Sequence, residues 1–246
     1  MKKNYFALIL ATFFSCTNHK EASDKKVDTP VVEREILTPE FQTILDSAGV
    51  EGSILIYDLK NDTYYSNDFQ WATKGRLPAS TFKITNSIIA LETGVVENDS
   101  TLFKWNGEKR SLKVWEQDLI LKDAFHFSCV PCYQEVARNI GAQRMSAYLD
   151  KLEYGAMDVD STNIDMFMKR MMILEENENY TLRGKTGWSI RNGNNNGWFV
   201  GYLENGSDTY FFATNINPNA DFNMDLFPMI RKEVTLEALR NLNLMG

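Results

Sequence analysis

Apolar and polar positions follow several different rhythms along this chain. Tyr5 to Phe14 is an unbroken apolar run behind Lys2 and Lys3, and Thr17 to Glu35 is a polar stretch without apolar period. Glu40 to Ser47 has helical spacing. Ser53 to Leu59 is a β-branched, apolar run that ends at the turn signal Asn61-Asp62, so Tyr64 and Tyr65 read as the returning strand of a hairpin. From Ser80 onward, Ile84, Ile88, Ile89 and Leu91 keep helical phase until Gly94, which predicts a helix buried on most sides. Thr101 to Phe127 is mixed. Pro131 then opens a helix that runs through Ile140 and closes at Gly141, and Ala142 to Leu152 forms another that stops near Gly155. Beyond that point the period changes to that of strands: Thr181 to Ile190, Gly197 to Leu203 and Thr209 to Ile216. Turns at Asn192 to Gly197 and at Asn205-Gly206 join them, and an amphipathic helix from Met224 to Leu244 ends the chain.

An early strand pair, a middle block of helices and three late strands with a helix predict an α/β (α+β) fold. Its antiparallel sheet is completed by both chain ends and flanked by helices, and the middle forms a helical subdomain. The organisation that follows is a signal peptide over 1–15, a polar tether over 16–35 and one folded domain over 36–246. With 246 residues, 43% of them apolar, the chain is ample for a buried core.

The net charge of -7, without any run of lysines and arginines interleaved with aromatics, argues against nucleic acid as a partner. The apolar run near the start is too short to span a bilayer and has the layout of an export signal, so the expected location is exported, in the periplasm. Ser15 precedes Cys16, and a cysteine after such a segment predicts lipid anchoring to the membrane through Cys16, with ordinary signal cleavage as the alternative. Cys129 and Cys132 either pair or serve as two small buried side chains. The surroundings lack the βαβ pattern of a redox motif and the further ligands of a zinc site. Oligomeric state leaves no mark in this sequence.

Candidate chemistry begins at Ser80-Thr81-Phe82-Lys83. The hydroxyl and the amine fall on one helical face, where the amine can take the hydroxyl's proton. The two histidines are His19 and His126, so a histidine relay would have to use His126, and a lysine base is the simpler reading. Lys83 sits among Phe82, Ile84 and Ile88, and burial there disfavours the ammonium. Lys185-Thr186-Gly187, in the first late strand, offers a cation, a hydroxyl and a glycine that lets a ligand approach. Ser128-Cys129-Val130, just before the Pro131 helix, would bring another hydroxyl to the same cleft.

In this order, these motifs resemble the class D β-lactamases. The resemblance is carried by Ser80-Thr81-Phe82-Lys83, by Trp115 with Asp118, and by Ser128-Cys129-Val130-Pro131 followed by Tyr133-Gln134-Glu135. Tyr154-Gly155 and Lys185-Thr186-Gly187-Trp188 complete it, and it extends from about Gln42 to the C-terminus. It implies a serine β-lactamase or penicillin-binding-like fold and a small-molecule β-lactam substrate. Ser80 would form an acyl-enzyme. Lys83, carboxylated by carbon dioxide, would act as base, with no other cofactor and no metal. Ser128 would relay a proton to the leaving nitrogen, and Lys185 would support the positive field. Arg231 and Thr186 would hold the substrate carboxylate, Val130, Gly187 and Trp188 would complete the substrate site, and the backbone N–H groups of Ser80 and Trp188 would form an oxyanion hole.

Two departures from the family pattern stand out. The expected Tyr-Gly-Asn turn is Tyr154-Gly155-Ala156, and a shortened stretch follows that carries no tryptophan between Gly155 and Lys185. Met157, Met166, Met168, Met171 and Met172 crowd this interval and suggest adaptable packing. A carbamate on Lys83 would lose the indole donor that relatives supply, which predicts retained acylation and slowed deacylation. The alternatives are an acylatable penicillin-binding sensor and a degenerate, non-catalytic lipoprotein on the same scaffold. A peptidase is disfavoured by the Ser-x-Val-Pro and Lys-Thr-Gly-Trp details.

Overall fold

The computed structural model describes residues 34–152, 154 and 167–245. The expected signal peptide, nearly all of the expected tether with Cys16, Gly155-Ala156, Met157 and Met166 lie outside the described residues. Nine strands are described: β1 (Arg34–Leu37), β2 (Val50–Asp58), β3 (Thr63–Ser66), β4 (Leu102–Phe103), β5 (Leu119–Ile120), β6 (Ile173–Glu176), β7 (Thr181–Arg191), β8 (Asn194–Asn205) and β9 (Asp208–Pro218). Seven of them form one sheet in the order β1-β3-β2-β9-β8-β7-β6, and β4 and β5 pair separately. As the pattern predicts, the early hairpin and the late strands share this sheet. β2 runs antiparallel to β9, from Val50 opposite Pro218 to Asp58 opposite Tyr210.

Helices α1 (Pro39–Ser47) and α7 (Phe227–Asn241) cover one side of the sheet. Phe41 and Leu45 of α1 and Phe227, Val234 and Leu239 of α7 pack with Ile54, Ile56, Leu182, Phe199 and Phe212. A second core belongs to the middle of the chain, formed by α3 (Lys83–Glu92), α4 (Leu121–His126), α5 (Val130–Ile140) and α6 (Ala142–Lys151). The short helix α2 (Phe69–Ala72) precedes them. Ile88, Ile89, Phe125, Val136, Ile140, Leu152, Met171 and Met172 fill this core. A large side chain fully buried in such a cluster contributes roughly 1.5 to 3 kcal/mol. Met171 and Met172 therefore do pack as core, whereas Lys169 and Arg170 just before them are exposed.

Several expectations need correction. The sheet is not wholly antiparallel, because β1 runs parallel to β3, from Arg34 opposite Thr63 to Leu37 opposite Ser66. This edge strand begins inside the stretch expected to be a tether. Its residues are mostly exposed, so it has no apolar period to announce it, and backbone bonds such as Thr38 N–H to Ser66 O hold it. The turn expected over Asn192 to Gly197 is only Asn192-Gly193, where φ is 52° and 79°. Two positive φ values make the primed hairpin turn that matches strand twist. Asn194, Asn195 and Asn196 already lie in β8, and the Asn196 amide bonds Asn215 and Asn217 of β9 across the ladder. The last helix starts at Phe227 rather than Met224, because residues Met224–Leu226 form a 3-10 turn capped by the Asn223 side chain. β6, a further strand that the pattern did not announce, pairs with β7 only at residues 181–183, and Gly184 N–H then bonds Met172 O. From Lys185 onward that side of β7 is free of a paired strand among the described residues, and the site lies along this part of the strand.

Candidate active site

Ser80 lies in a 3-10 turn, Ala79–Phe82, that leads directly into α3. Ala79 has φ of 50°, a left-handed conformation that costs a non-glycine residue about 1 to 3 kcal/mol. The Pro78 carbonyl holds the turn closed, accepting from Thr81 N–H at 3.1 Å and from Thr81 Oγ1 at 2.6 Å. The helical spacing read from the sequence is thereby realised. Lys83 Nζ donates to Ser80 Oγ at 3.2 Å. Lys83 is only 8% exposed, and its ammonium lies 5.2 Å from the centre of the Tyr133 ring. Loss of hydration lowers its pKa from 10.5 to about 8.

A second amine faces a second hydroxyl close by. Lys185, 4% exposed, donates to Ser128 Oγ at 2.5 Å and to the Thr186 carbonyl at 3.1 Å. Burial first, then the charges of Lys83 and Arg231, lower the Lys185 pKa to about 7. Ser128 also has a left-handed backbone, φ 51°. Its N–H bonds Phe125 O, the next N–H bonds Ala124 O, and Trp115 Nε1 donates to Phe127 O at 2.9 Å. Asp118 accepts from the Trp105 N–H at 2.8 Å, so the Trp115 and Asp118 pair quoted from the sequence braces the loops beside Ser128.

Gly187 connects β7 to the serine turn. A Cβ at this position would stand 2.9 Å from Pro78 O and 3.2 Å from Thr81 Cγ2. The sequence suggested that glycine admits a ligand here; the close approach in the structure is by the protein's own turn. Arg231 Nη1 donates to the Gly187 carbonyl at 2.5 Å, while its Nε and Nη2 bond the Phe227 and Pro228 carbonyls of its own helix. Burial lowers its pKa to about 10. The guanidinium carbon lies 5.8 Å from the Trp188 ring centre, and Trp188 Nε1 donates to Asn195 Oδ1.

Ser80, Lys83, Ser128, Lys185, Gly187 and Arg231 thus form one connected group, with Thr186 and Trp188 on the same strand. Val130 is 41% exposed on the first turn of α5, and no described contact ties it to the two amines. His126, the other candidate base, hydrogen-bonds the Met171 backbone, and burial with Lys122 and Lys185 lowers its pKa. The titratable side chain hydrogen-bonded to Ser80 Oγ is Lys83. The sequence reading did not give Ser87 a place. Its Oγ bonds Lys83 O at 2.7 Å and the Tyr133 hydroxyl at 2.6 Å, joining α3 to α5 behind the lysine. Its position one turn beyond Lys83 was the available signal. Cys129 and Cys132, left open in the sequence, form a disulfide.

This geometry agrees with what the chain is similar to. The family model described as penicillin binding protein transpeptidase domain matches residues 50–167 and 156–226. Beta-lactamase OXA-48 of Klebsiella pneumoniae is 34% identical over 75% of this chain and 82% of its own length. Beta-lactamase OXA-10 of Pseudomonas aeruginosa is 32% identical over 80% and 86%. Among solved structures, a class D β-lactamase from Sebaldella termitidis superposes with a TM-score of 0.79 at 30% identity, covering 87% of this chain and all of that one. The C-terminal domain of the Bacillus licheniformis BlaR penicillin-receptor gives 0.77 at 25% identity, covering 87% of this chain and 97% of the receptor domain. The serine and lysine in contact, the second hydroxyl and amine beside them, and this extent of similarity have one common explanation: the chain belongs to the class D β-lactamases, a family of serine hydrolases that act through an acyl-enzyme.

Proposed function

We propose that this protein opens the ring of β-lactam antibiotics, with Ser80 as nucleophile. Ser80 Oγ attacks the lactam carbonyl carbon while Lys83 Nζ takes its proton. The ring C–N bond then breaks as Ser128 gives its hydrogen to the departing nitrogen, and Lys185 restores that hydrogen to Ser128. Water cleaves the resulting serine ester. The backbone N–H groups of Ser80 and Trp188 are assigned to the oxyanion, a contribution of roughly 3 kcal/mol per donor. Thr186 and Arg231 are assigned to the substrate carboxylate, with the lysine pair adding positive field, and Val130, Gly187 and Trp188 to the walls of the cleft. The observation that carries this reading is the buried Lys83 amine within 3.2 Å of Ser80 Oγ.

The surroundings of Lys83 fit modification by carbon dioxide, because that reaction needs an uncharged amine. With a pKa of about 8, roughly a tenth of the amine is uncharged at pH 7. When bound, carbon dioxide supplies a carboxylate at this nitrogen as the site's base.

A second reading, persistent acylation in the manner of a receptor, draws support from the similarity to the BlaR receptor domain and from the lack of tryptophan between Gly155 and Lys185. Mass spectrometry of the protein during penicillin treatment separates the two. A transient adduct on Ser80 supports the hydrolase, a lasting adduct the receptor-like trap, and no adduct overturns both. We further propose export to the periplasm with lipid on Cys16. Palmitate labelling that persists in Cys16→Ser would refute the anchor.

A further inference from the structure

We propose that the Cys129–Cys132 disulfide is a positioning element for Ser128, so that acylation depends on the oxidation state of this pair. The inference rests on the role assigned to Ser128 above. Cys129 is the residue directly after Ser128 and caps the N-terminus of α5, and Cys132 lies in the first turn of that helix. The bridge therefore binds the Ser128 loop covalently to α5 at the point where the chain leaves its left-handed conformation. The uncrosslinked contact between the same two residues is weak by comparison, a Cys132 N–H directed to Cys129 Sγ at 3.3 Å.

What the bridge is fastened to matters as much as the bridge. Helix α5 is itself fixed to α3 by the Tyr133 hydroxyl on Ser87 Oγ, and Ser87 Oγ bonds the carbonyl of Lys83. A continuous series of bonds thus runs from the Ser80 and Lys83 pair, through α3, Tyr133 and α5, across the disulfide to Ser128, and on to Lys185. Without the sulfur bridge, the loop keeps the Ser128 and Cys129 backbone bonds to α4 and the Trp115 bond to Phe127. Those hold Ser128 from the α4 side; its exit into α5 would keep the Tyr133 N–H bond to Cys129 O at 3.2 Å, and the disulfide is the covalent tie there. A displacement of about 1 Å of a group that moves a proton costs up to roughly a hundredfold in rate.

The two sulfurs are buried, Cys129 at 1% and Cys132 at 9% exposure. They nevertheless line a cavity of about 250 Å³ beside Trp105, Trp115 and Arg138, which gives a small dithiol a route to them. Dithiothreitol would cleave the bond by two successive thiolate attacks. Each cysteine sulfur gains a hydrogen, and the reagent's two thiols leave as a cyclic disulfide.

The test is stopped-flow acylation of the full protein with a penicillin, resolving the rate constant of acylation from the binding constant. Three samples are compared: untreated protein, protein reduced with dithiothreitol, and Cys129→Ser/Cys132→Ser, in which the serine retains an N-cap oxygen. The expected result is an acylation constant at least about tenfold lower in the reduced protein and in the variant, with little change in binding constant. Reoxidation should restore the reduced protein, and the variant should be indifferent to dithiothreitol. Should the variant fail to fold, the reversible reduction of the wild-type chain remains decisive. Equal acylation constants before and after complete reduction, even with a lower melting temperature, would overturn the proposal and leave the bridge a purely structural staple. Ser128→Ala distinguishes the two levels. If Ser128→Ala acylates at full speed, the assigned role of Ser128 has failed; if it is slow while the reduced protein is fast, only the disulfide inference has failed.

Discussion

Gly187 lies so close beneath Pro78 that any side chain there would meet the Pro78 carbonyl at 2.9 Å. That carbonyl is the acceptor which closes the turn bearing Ser80. Gly187→Ala must therefore push strand and turn apart, and we expect overpacking to cost about 1 to 3 kcal/mol. The same displacement separates Ser80 from the Trp188 N–H. Acylation should fall by roughly a hundredfold, more than the loss of stability alone would produce in protein that is still folded. Chemical denaturation and acylation kinetics on the same sample check both.

Lys83 gives a prediction about pH. Its pKa is lowered to about 8 by burial, so below that value the amine is increasingly protonated and unable to accept from Ser80. In buffer freed of carbon dioxide, acylation should be bell-shaped in pH: it falls up to about tenfold per unit below about 7 as Lys83 is protonated, and falls again above about 8, where Lys185 has lost the proton it returns to Ser128. A flat acylation profile from pH 6 to 9 would contradict the assignment of Lys83 as base. The sign for stability is consistent. An unfolded lysine near 10.5 binds a proton that the buried one has shed, so Lys83 makes the fold more stable as pH rises from about 8 to 10.5. Lys83→Met should lessen the slope of that part of the stability profile, leaving the share that Lys185 contributes.

Tyr133→Phe removes one partner of the Ser87 hydroxyl inside the helical core. Ser87 still bonds the Lys83 carbonyl, so the expected loss is about 1 kcal/mol, near the net worth of one hydrogen bond. A thermal melt measures it. Acylation should change less than in Gly187→Ala, because the lysine's own contact with Ser80 is untouched.

Deacylation is expected to be the slow step. Hydrolysis of a chromogenic cephalosporin should show a burst followed by a slower steady phase, and added bicarbonate should raise the steady phase. Linear turnover that ignores bicarbonate would refute the idea that the shortened stretch weakens the modified lysine.

Much of this site was legible in the sequence because its signals are local. Ser80 and Lys83 are fixed by helical spacing, and Lys185, Thr186, Gly187 and Trp188 by consecutive places on one strand. The bond between Lys185 and Ser128 spans 57 residues and has no local signal; only resemblance placed the two together. β1 was hidden because an exposed edge strand needs no apolar alternation, and the early part of β8 because its three asparagines look like turn residues. Asn196 instead bonds the Asn215 and Asn217 amides of β9, and Asn195 accepts from Trp188 Nε1 on β7. The Arg231 bond to the Gly187 carbonyl was equally unreadable, since it depends on where the last helix docks and lays this side chain over Gly197 of β8.

The pairing of β2 with β9 has a consequence for how this molecule comes into being. Val50 meets Pro218 and Asp58 meets Tyr210, so the centre of the sheet joins segments from near the two extremes of the described chain. A nascent polypeptide cannot assemble that centre until its final strand has emerged, whereas the helical block between them has its contacts at shorter range and can condense earlier. Premature termination just before Asp208 would leave β2 and β8 each with an unsatisfied flank where β9 belongs, two open templates for cross-molecule strand addition. Such a fragment should precipitate rather than persist as a smaller soluble enzyme.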